Sequence, residues 1–104
     1  MSKETQNYEG LAEVFKAIGH PIRIAILNLL CNFDRLTVKN IYEKLKIEQP
    51  IASRHLGIMR SNGILERIQE TGNTYYCFSE KNPYVDCIKP CFEKSFFKQI
   101  HTGI

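Results

Sequence analysis

The sequence lacks a hydrophobic run of about 18 residues, the length a membrane-spanning helix needs, and its first residues form no cationic and apolar leader. It also lacks the dense cysteine spacing of a disulfide scaffold, since its cysteines are Cys31, Cys77, Cys87 and Cys91. Internal repeats and low-complexity tracts are missing as well. We therefore expect a protein of the reducing cytoplasm that has no membrane partner.

Recognisable catalytic motifs are absent too. The sequence contains no pair of nucleophile and base, no glycine-rich phosphate loop and no HExxH-type motif, so it does not predict an enzyme. What it does contain is 104 residues, 43% of them hydrophobic, which predicts a single domain over 1–104 with a modest core. A net charge of +3 is compatible with a nucleic-acid partner.

The most informative stretch runs from Gln49 to Gly63 and predicts one short helix with both ends marked. Proline at position 50 suits a helix start, and Asn62-Gly63 suits a helix end. One face of this helix is apolar and consists of Ala52, Leu56 and Met59. Another face is small, polar and cationic and consists of Pro50, Ser53, Arg54 and Gly57. Such a helix fits a DNA major groove, although an ordinary surface helix with a solvated arginine has the same pattern.

Three helices are predicted before this stretch. Apolar residues at helical spacing predict the first over 8–18, and Pro21 opens a second that is apolar nearly all round. We expect the second helix to be the most buried element, with Arg23 reaching solvent, an acidic partner or a phosphate. After a turn over 32–35, Thr37 caps a third helix from Val38 to about Lys46. Two short helices joined by a tight turn are the helix-turn-helix pattern.

Beyond Gly63 the apolar spacing changes from helical to alternating. Residues 64–70 and 74–78 flank Thr71-Gly72-Asn73, which predicts a hairpin whose tip could lie along a phosphate backbone. Asn82-Pro83 then predicts a helix over about 82–100, kinked or divided at Pro90. Its many phenylalanines are too apolar to stay in contact with water. We therefore expect this helix to pack against the first helix and against a second copy of the chain.

Taken in order, these elements resemble the ArsR family of winged-helix regulators. The resemblance covers about residues 14–78 and is carried by FKAIGHPIRIAILNLL, LTVKNIYEKLKIEQPIASRHLGIMRSNGIL and ERIQETGNTYYCF. It implies a mainly α (α+β) winged helix-turn-helix fold, with the helix-turn-helix over about 37–63 and the wing over about 64–78. It also implies dimerisation helices at the N-terminus and over about 82–100, and a homodimeric, sequence-specific repressor that an inducer releases from operator DNA.

The resemblance also assigns DNA-binding residues by position. The residues that would face base edges or phosphates are Gln49, Pro50, Ser53 and Arg54. The residues that would contact the backbone, and so position the protein without reading sequence, are Arg67, Asn73 and Thr74. His55 is expected to orient the helix rather than to read a base. Glu48 departs from the serine common in the family, and its carboxylate would repel phosphates unless it caps the helix.

Members of the family differ in their inducer site, and two of the metal sites are absent here. The helix before the recognition helix reads TVKNIYEKL and has no cysteine, so the arsenic- and cadmium-type site is missing. The positions of the zinc-type site are occupied by Asn82, Tyr84, Ser95 and Lys98. These cannot supply the aspartates and histidines of that site. The persulfide-type pair would be Cys31 and Cys91, which are displaced by about one turn from the family positions.

Three interpretations of the cysteines remain open. Cys87 and Cys91 are four residues apart and could bind a thiophilic metal or arsenite from one face of a helix. They could instead form a redox or sulfur-responsive dithiol, with or without Cys31. The third interpretation, which we prefer and which requires no cofactor, is that they are core residues.

A winged helix can also serve as a protein-interaction module that does not bind DNA. The basic set Arg54, Arg60 and Arg67 favours DNA binding over that alternative. Duplex binding whose affinity falls steeply with salt would separate the two functions.

Overall fold

The computed structural model describes residues 3–92, with side chains from residue 8 onward. In chain order its elements are α1 (Lys3–Ile18), α2 (Pro21–Phe33), β1 (Arg35–Thr37), α3 (Val38–Leu45), α4 (Gln49–Ser61), β2 (Leu65–Glu70), β3 (Asn73–Phe78), α5 (Val85–Ile88) and a 3₁₀ helix (Lys89–Phe92). Helices followed by a hairpin form the winged helix-turn-helix arrangement that the sequence predicts.

The sharp turn between α1 and α2 follows from Gly19, His20 and Pro21. His20 has an extended backbone, and its Nδ1 accepts a hydrogen bond from the backbone N–H of Ile22 at 3.1 Å. Pro21 fits the first helical position because it has no N–H that would lack a partner there. The predicted end of the first helix and start of the second are therefore confirmed.

The core is built around α2, as predicted. Its side chains Ile26 and Leu27 are completely buried, and buried residues of α1, α4, the strands and α5 pack around them. Among the described residues, no single helix is long and apolar enough to cross a membrane. Only residues 8–18 of α1 taken together with α2 reach that length and composition, and the chain bends by 99° between these two helices.

The helix-turn-helix consists of α3 and α4, joined by a short link. The Thr37 hydroxyl accepts a hydrogen bond from the N–H of Asn40 at 3.1 Å, and the Asn40 side chain accepts one from the N–H of Thr37 at 3.3 Å. This reciprocal cap fixes the start of α3. Lys46 then ends α3 in the left-handed conformation at a φ of 56°. The chain thereby reverses direction within the few residues before α4.

The wing is a hairpin of β2 and β3, and β1 adds a third strand in the antiparallel order β1-β3-β2. Thr71 and Gly72 both have positive φ, at 50° and 80°, so they form the compact loop that matches the twist of the two strands. The sequence predicts a turn over 32–35 and does not predict β1. That strand has three residues, too few to show an alternating pattern.

The helix predicted to begin at Asn82 begins instead at Val85, so that prediction is wrong at its start. The Asn82 side chain accepts a hydrogen bond from the N–H of Tyr84 at 3.0 Å and forms a turn rather than a helix cap. The α-helical geometry lasts only to Ile88, and the 3₁₀ helix that follows contains Pro90. The α-helical geometry therefore ends before Pro90, as predicted, and the rest of the predicted helix, over 93–100, lies outside the described residues.

Candidate nucleic-acid interface

Helix α4 presents one exposed, polar face. Four residues of this face, Gln49, Pro50, Ser53 and Arg54, are exposed. Gly57 lies one turn further along the helix, and a Cβ built on it would have nothing within 4 Å. The structure therefore places the four residues predicted to face base edges together on a surface that a partner can approach closely.

The opposite face of α4 is buried against the core. Ala52, Leu56 and Met59 are completely buried, as their spacing predicts, and they hold the helix against α2 and the start of β2. This burial fixes the rotation of α4 about its axis, because a rotation would expose those three side chains to water. The exposed face is thus held outward by the core.

The ring of His55 is only 2% exposed and joins α4 to α2 and α1 through polar contacts. The Nε of Arg23 donates a hydrogen bond to Nδ1 of His55 at 3.1 Å. The same guanidinium donates to the backbone carbonyl of Ala17 at 3.0 Å. The ring of His20 lies 4.4 Å from the ring of His55 and is tilted by 40°. His55 therefore orients the helix, as the sequence predicts.

The prediction for Arg23 is wrong, because its side chain turns inward to His55 and Ala17 rather than outward. The sequence gives one signal for this role, a single charged residue within an apolar helix. That signal alone cannot identify the partner, since His55 lies 32 positions further along the chain.

Burial lowers the pKa of His55 below its ordinary value, and electrostatic interactions with the nearby His20, Arg23 and Arg54 lower it further. A neutral ring keeps a lone pair on Nδ1, which is the acceptor that the Arg23 hydrogen bond requires. Hydrogen bonding and electrostatics thus favour the same protonation state. The attachment of α4 to α2 therefore depends on the neutral form of His55.

Glu48 occupies the position before α4, where its side chain forms no capping hydrogen bond. The suggestion that it caps the helix is therefore wrong. The carboxylate is exposed next to Gln49 and Pro50, at the end of α4 that the sequence predicts to meet DNA. It introduces one negative charge into a surface that otherwise suits phosphates.

The wing places the other predicted DNA-binding residues along β2 and at the start of β3. Arg67 and Asn73 are exposed, and Thr74 is half-buried with its hydroxyl accepting a hydrogen bond from Nε2 of Gln69 at 3.2 Å. The Arg35 guanidinium forms an ion pair with Glu70 and lies 4.5 Å from the ring centre of Tyr75. Strand β1 therefore supports the wing through side chains as well as backbone pairing.

The cysteines lie in different environments from those predicted. Cys87 and Cys91 are exposed in the single chain, so the interpretation as core residues is wrong for this chain by itself. They also do not share one α-helical face, because α5 ends at Ile88 and Cys91 belongs to the 3₁₀ helix. Within residues 3–92 no group of three or more His, Cys, Asp or Glu side chains is arranged to hold a metal ion. The metal or redox role of Cys87, Cys91 and Cys31 stays a prediction.

Two other sulfur atoms line a cavity of about 480 Å³ at the end of α2. The thiol of Cys31 lies 4.0 Å from the backbone carbonyl of Lys89, and Cys77 borders the same space from β3. Burial raises the pKa of the Cys77 thiol, and the carboxylates of Glu66 and Glu80 raise it further. A protonated thiol is a weak nucleophile and metal ligand, in agreement with a structural role for Cys77.

Comparison with known protein families gives a match over residues 20–67 to the model for bacterial regulatory proteins of the arsR family. An uncharacterized HTH-type transcriptional regulator of Methanocaldococcus jannaschii is 40% identical over 77 residues, which cover 73% of this chain and 86% of that protein. The transcriptional repressor PagR of Bacillus anthracis is 36% identical over 85 residues, covering 82% of this chain and 83% of PagR.

Comparison with solved structures agrees with the comparison of sequences. The crystal structure of PagR superposes with a TM-score of 0.74 at 32% sequence identity, covering 86% of this chain and 99% of the PagR chain. A homodimeric winged helix-turn-helix DNA-binding domain of Mycobacterium bovis superposes with a TM-score of 0.72 at 20% identity, covering 98% of this chain and 87% of that one. The second likeness concerns the fold alone. Together they confirm the predicted fold class.

Proposed function

This chain belongs to the arsR family of bacterial regulatory proteins, and from that premise we propose that it is a homodimeric repressor that binds operator DNA through the exposed face of α4. The observation that carries the proposal is the asymmetry of this helix. Its polar residues Gln49, Ser53 and Arg54 are exposed, while the opposite face is completely buried. An α-helix with such a face fits the major groove, where Gln and Arg side chains can form paired hydrogen bonds with adenine and guanine.

The wing supplies the second half of the proposed interface. Arg67, Asn73 and Thr74 lie on the hairpin that extends from the end of α4, and each can contact a phosphate. Such contacts set the register and orientation of the protein on the duplex without reading bases. Specificity in this proposal therefore comes from α4, and much of the affinity comes from phosphate contacts.

The homodimer and the repressor role have separate support. Tyr8 and Phe15 on α1 are 70% and 51% exposed, and an exposed aromatic pair on a small domain favours burial by a partner. Repression is proposed because a relative at 36% identity is named a transcriptional repressor. Of the predicted dimerisation helix over about 82–100, the described part buries Val85, Ile88 and Phe92 in the core of its own chain, and the part after Phe92 lies outside the described residues.

Duplex selection tests the proposal. The purified protein selects, from a randomised library, a duplex of about 30 base pairs, long enough for two half-sites one helical turn apart. Fluorescence anisotropy then measures its affinity for the selected duplex and for a scrambled duplex of the same composition, between about 50 and 200 mM salt. Tighter binding of the selected duplex, falling steeply with salt, supports the proposal. Binding that is absent or independent of salt favours a protein-interaction module instead.

Arg54 provides the variant test. We expect Arg54→Ala to weaken binding of the selected duplex by about 1–3 kcal/mol for each subunit of the dimer, the size of one paired arginine–guanine contact. Arg54→Lys retains the charge but loses the planar fork, so it should lose discrimination against the scrambled duplex. Both variants should keep the melting temperature of the unchanged protein, because Arg54 is exposed. Unchanged affinity in Arg54→Ala would contradict the assignment of α4 as the reading helix.

A further inference from the structure

An open groove of about 380 Å³ lies between the C-terminal half of α4 and the base of the wing. Six residues line it: Arg60, Leu65, Glu66, Arg67, Ile68 and Lys81. The three cations come from three separate parts of the chain, namely α4, β2 and the segment after β3. Only the fold brings them together, so their grouping cannot be read from the sequence.

None of these three cations belongs to an ion pair in the described part of the chain. Elsewhere in it, Arg35 pairs with Glu70 and Lys39 with Glu43. The single carboxylate of the groove, Glu66, accepts a hydrogen bond from the hydroxyl of Ser79 at 3.3 Å. The groove therefore keeps an excess of positive charge, which an anion in the groove would neutralise.

The groove continues the proposed reading surface of α4. Arg60 follows Ser53 by seven residues, or about two helical turns, so both side chains leave α4 on the same side, about 10 Å apart along its axis. Arg67 faces Arg60 from the wing. If the N-terminal half of α4 lies in a major groove, the groove between α4 and the wing is within reach of the DNA strand that borders it.

We propose that this groove binds backbone phosphates of the DNA strand that runs between α4 and the wing, with Arg60 and Lys81 as phosphate-binding residues beside Arg67. The proposal rests on the proposed function and adds a site to it. An arginine side chain presents a planar fork of donors that matches a phosphate, and a lysine acts as a point charge. Contacts of this kind hold the duplex in register and do not distinguish base sequences.

This assignment predicts how the DNA affinity of variants that lack one of these cations depends on salt. Each phosphate contact releases counterions, and a substitution in the homodimer removes one contact from each subunit, so the slope of log affinity against log salt should fall by about 1.8. Between about 50 and 200 mM salt, the affinity of each variant should therefore fall about twelvefold less than that of the unchanged protein. The ratio of affinities for selected and scrambled duplexes should stay the same, because phosphate contacts are shared by both.

The test compares Arg60→Gln, Lys81→Gln and Lys44→Gln in the full chain. Each substitution removes one positive charge, and Lys44 is the matched control because it lies over the ring of Phe33, 4.3 Å from its centre, outside the groove. The probes are the selected and scrambled duplexes described above. Melting temperatures measured by circular dichroism verify that all three variants are folded.

A reduced salt slope in Arg60→Gln and Lys81→Gln on both duplexes, with the slope of Lys44→Gln unchanged, supports the inference. Equal slopes in all three variants and the unchanged protein overturn it while leaving the proposed function intact. A slope reduced equally by Lys44→Gln also overturns it, because total charge would then explain the effect. If the unchanged protein binds neither duplex, the proposed function and this inference are both wrong.

Discussion

His55 gives α4 a polar attachment in a place where most of its neighbours are hydrocarbon. The ring accepts a hydrogen bond from Arg23, which in turn donates to the carbonyl of Ala17. The guanidinium is always charged and has no acceptor atom, so this chain of contacts requires a neutral imidazole. The position of α4 is therefore coupled to one protonation state of His55.

We expect the protein to lose stability as the pH falls through the ordinary histidine pKa of about 6.5. Burial and electrostatic interactions with His20, Arg23 and Arg54 lower the pKa of His55 in the folded protein, whereas the unfolded ring titrates normally. Below that pH the unfolded state binds more protons than the folded state, so the free energy of unfolding decreases on acidification. Thermal melts from about pH 8 to about pH 5 measure this dependence.

His55→Asn is the control for that prediction. The asparagine side-chain oxygen can accept the hydrogen bond from Arg23, and the amide does not titrate in this range. The variant should therefore lose the part of the pH dependence that His55 contributes. An identical decline of melting temperature in both proteins would assign the effect to other groups.

We expect the carboxylate of Glu48 to weaken DNA binding. Its carboxylate is exposed at the start of α4 and caps nothing. Glu48→Gln removes the charge and should tighten binding of selected and scrambled duplexes alike. Glu48→Ser should do the same and also stabilise the fold by up to about 1 kcal/mol, because serine is a favourable N-cap. Affinity unchanged in both variants would place Glu48 away from the phosphates.

Single side chains also show how far the sequence can be interpreted. The outward face of α4 and the inward position of His55 follow from helical spacing alone, because the spacing of apolar residues within one helix shows which of its sides is buried. The inward turn of Arg23 and the grouping of Arg60 with Lys81 do not. They depend on residues that the tertiary fold brings together from distant parts of the chain.

At the scale of the element, two helical glycines should respond in opposite ways to the same substitution. Gly57 in α4 has nothing within 4 Å of the position of a Cβ, whereas a Cβ on Gly10 in α1 would lie 2.6 Å from Cζ of Tyr84. Alanine is favoured over glycine in a helix by about 1 kcal/mol. Gly57→Ala should therefore raise the free energy of unfolding by about 0.5–1 kcal/mol, and Gly10→Ala should lower it.

Urea denaturation of the two alanine variants measures both effects under one set of conditions. Stabilisation by Gly10→Ala would mean that the ring of Tyr84 moves away at little cost. The contact between Gly10 and Tyr84 would then contribute little to packing α1 against the segment before α5. Both substitutions gain the same helix propensity, so the difference between the two variants measures the clash with Tyr84.

The elements that the sequence predicts well are those with local signals at both ends. The Thr37 cap and the Gly63 terminus, with its φ of 75°, bound α3 and α4 as expected. The sequence does not predict strand β1 because the conformation of this strand is imposed by pairing with Tyr75, Tyr76 and Cys77 of β3, about 40 residues away. The late start of α5 has a similar cause, since Asn82 also donates to the carbonyl of Gly63 at 3.0 Å and is held in a turn.

At the scale of the whole molecule, one surface is unsuited to a monomer. Tyr8, Leu11 and Phe15 follow one another at three- and four-residue steps on α1, so they form a single stripe. Leu11 is half-buried, but the two aromatic side chains are mostly exposed. A chain of 44 × 37 × 22 Å presents one recognition helix, whereas two half-sites one helical turn apart require two copies about 34 Å apart.

Phe15→Glu should therefore convert a dimer into a folded monomer. A carboxylate in the middle of the proposed interface would have to be buried without a partner, which strongly disfavours association. Sedimentation velocity measures the mass, and anisotropy should show that the preference for the selected duplex falls because two half-sites are no longer bound together.

Phe33→Glu is the matched control, since Phe33 is 50% exposed at the end of α2, away from that stripe. A Phe15→Glu protein that remains dimeric would move the interface elsewhere, and an unchanged protein that sediments as a monomer would remove the geometric basis for reading two half-sites.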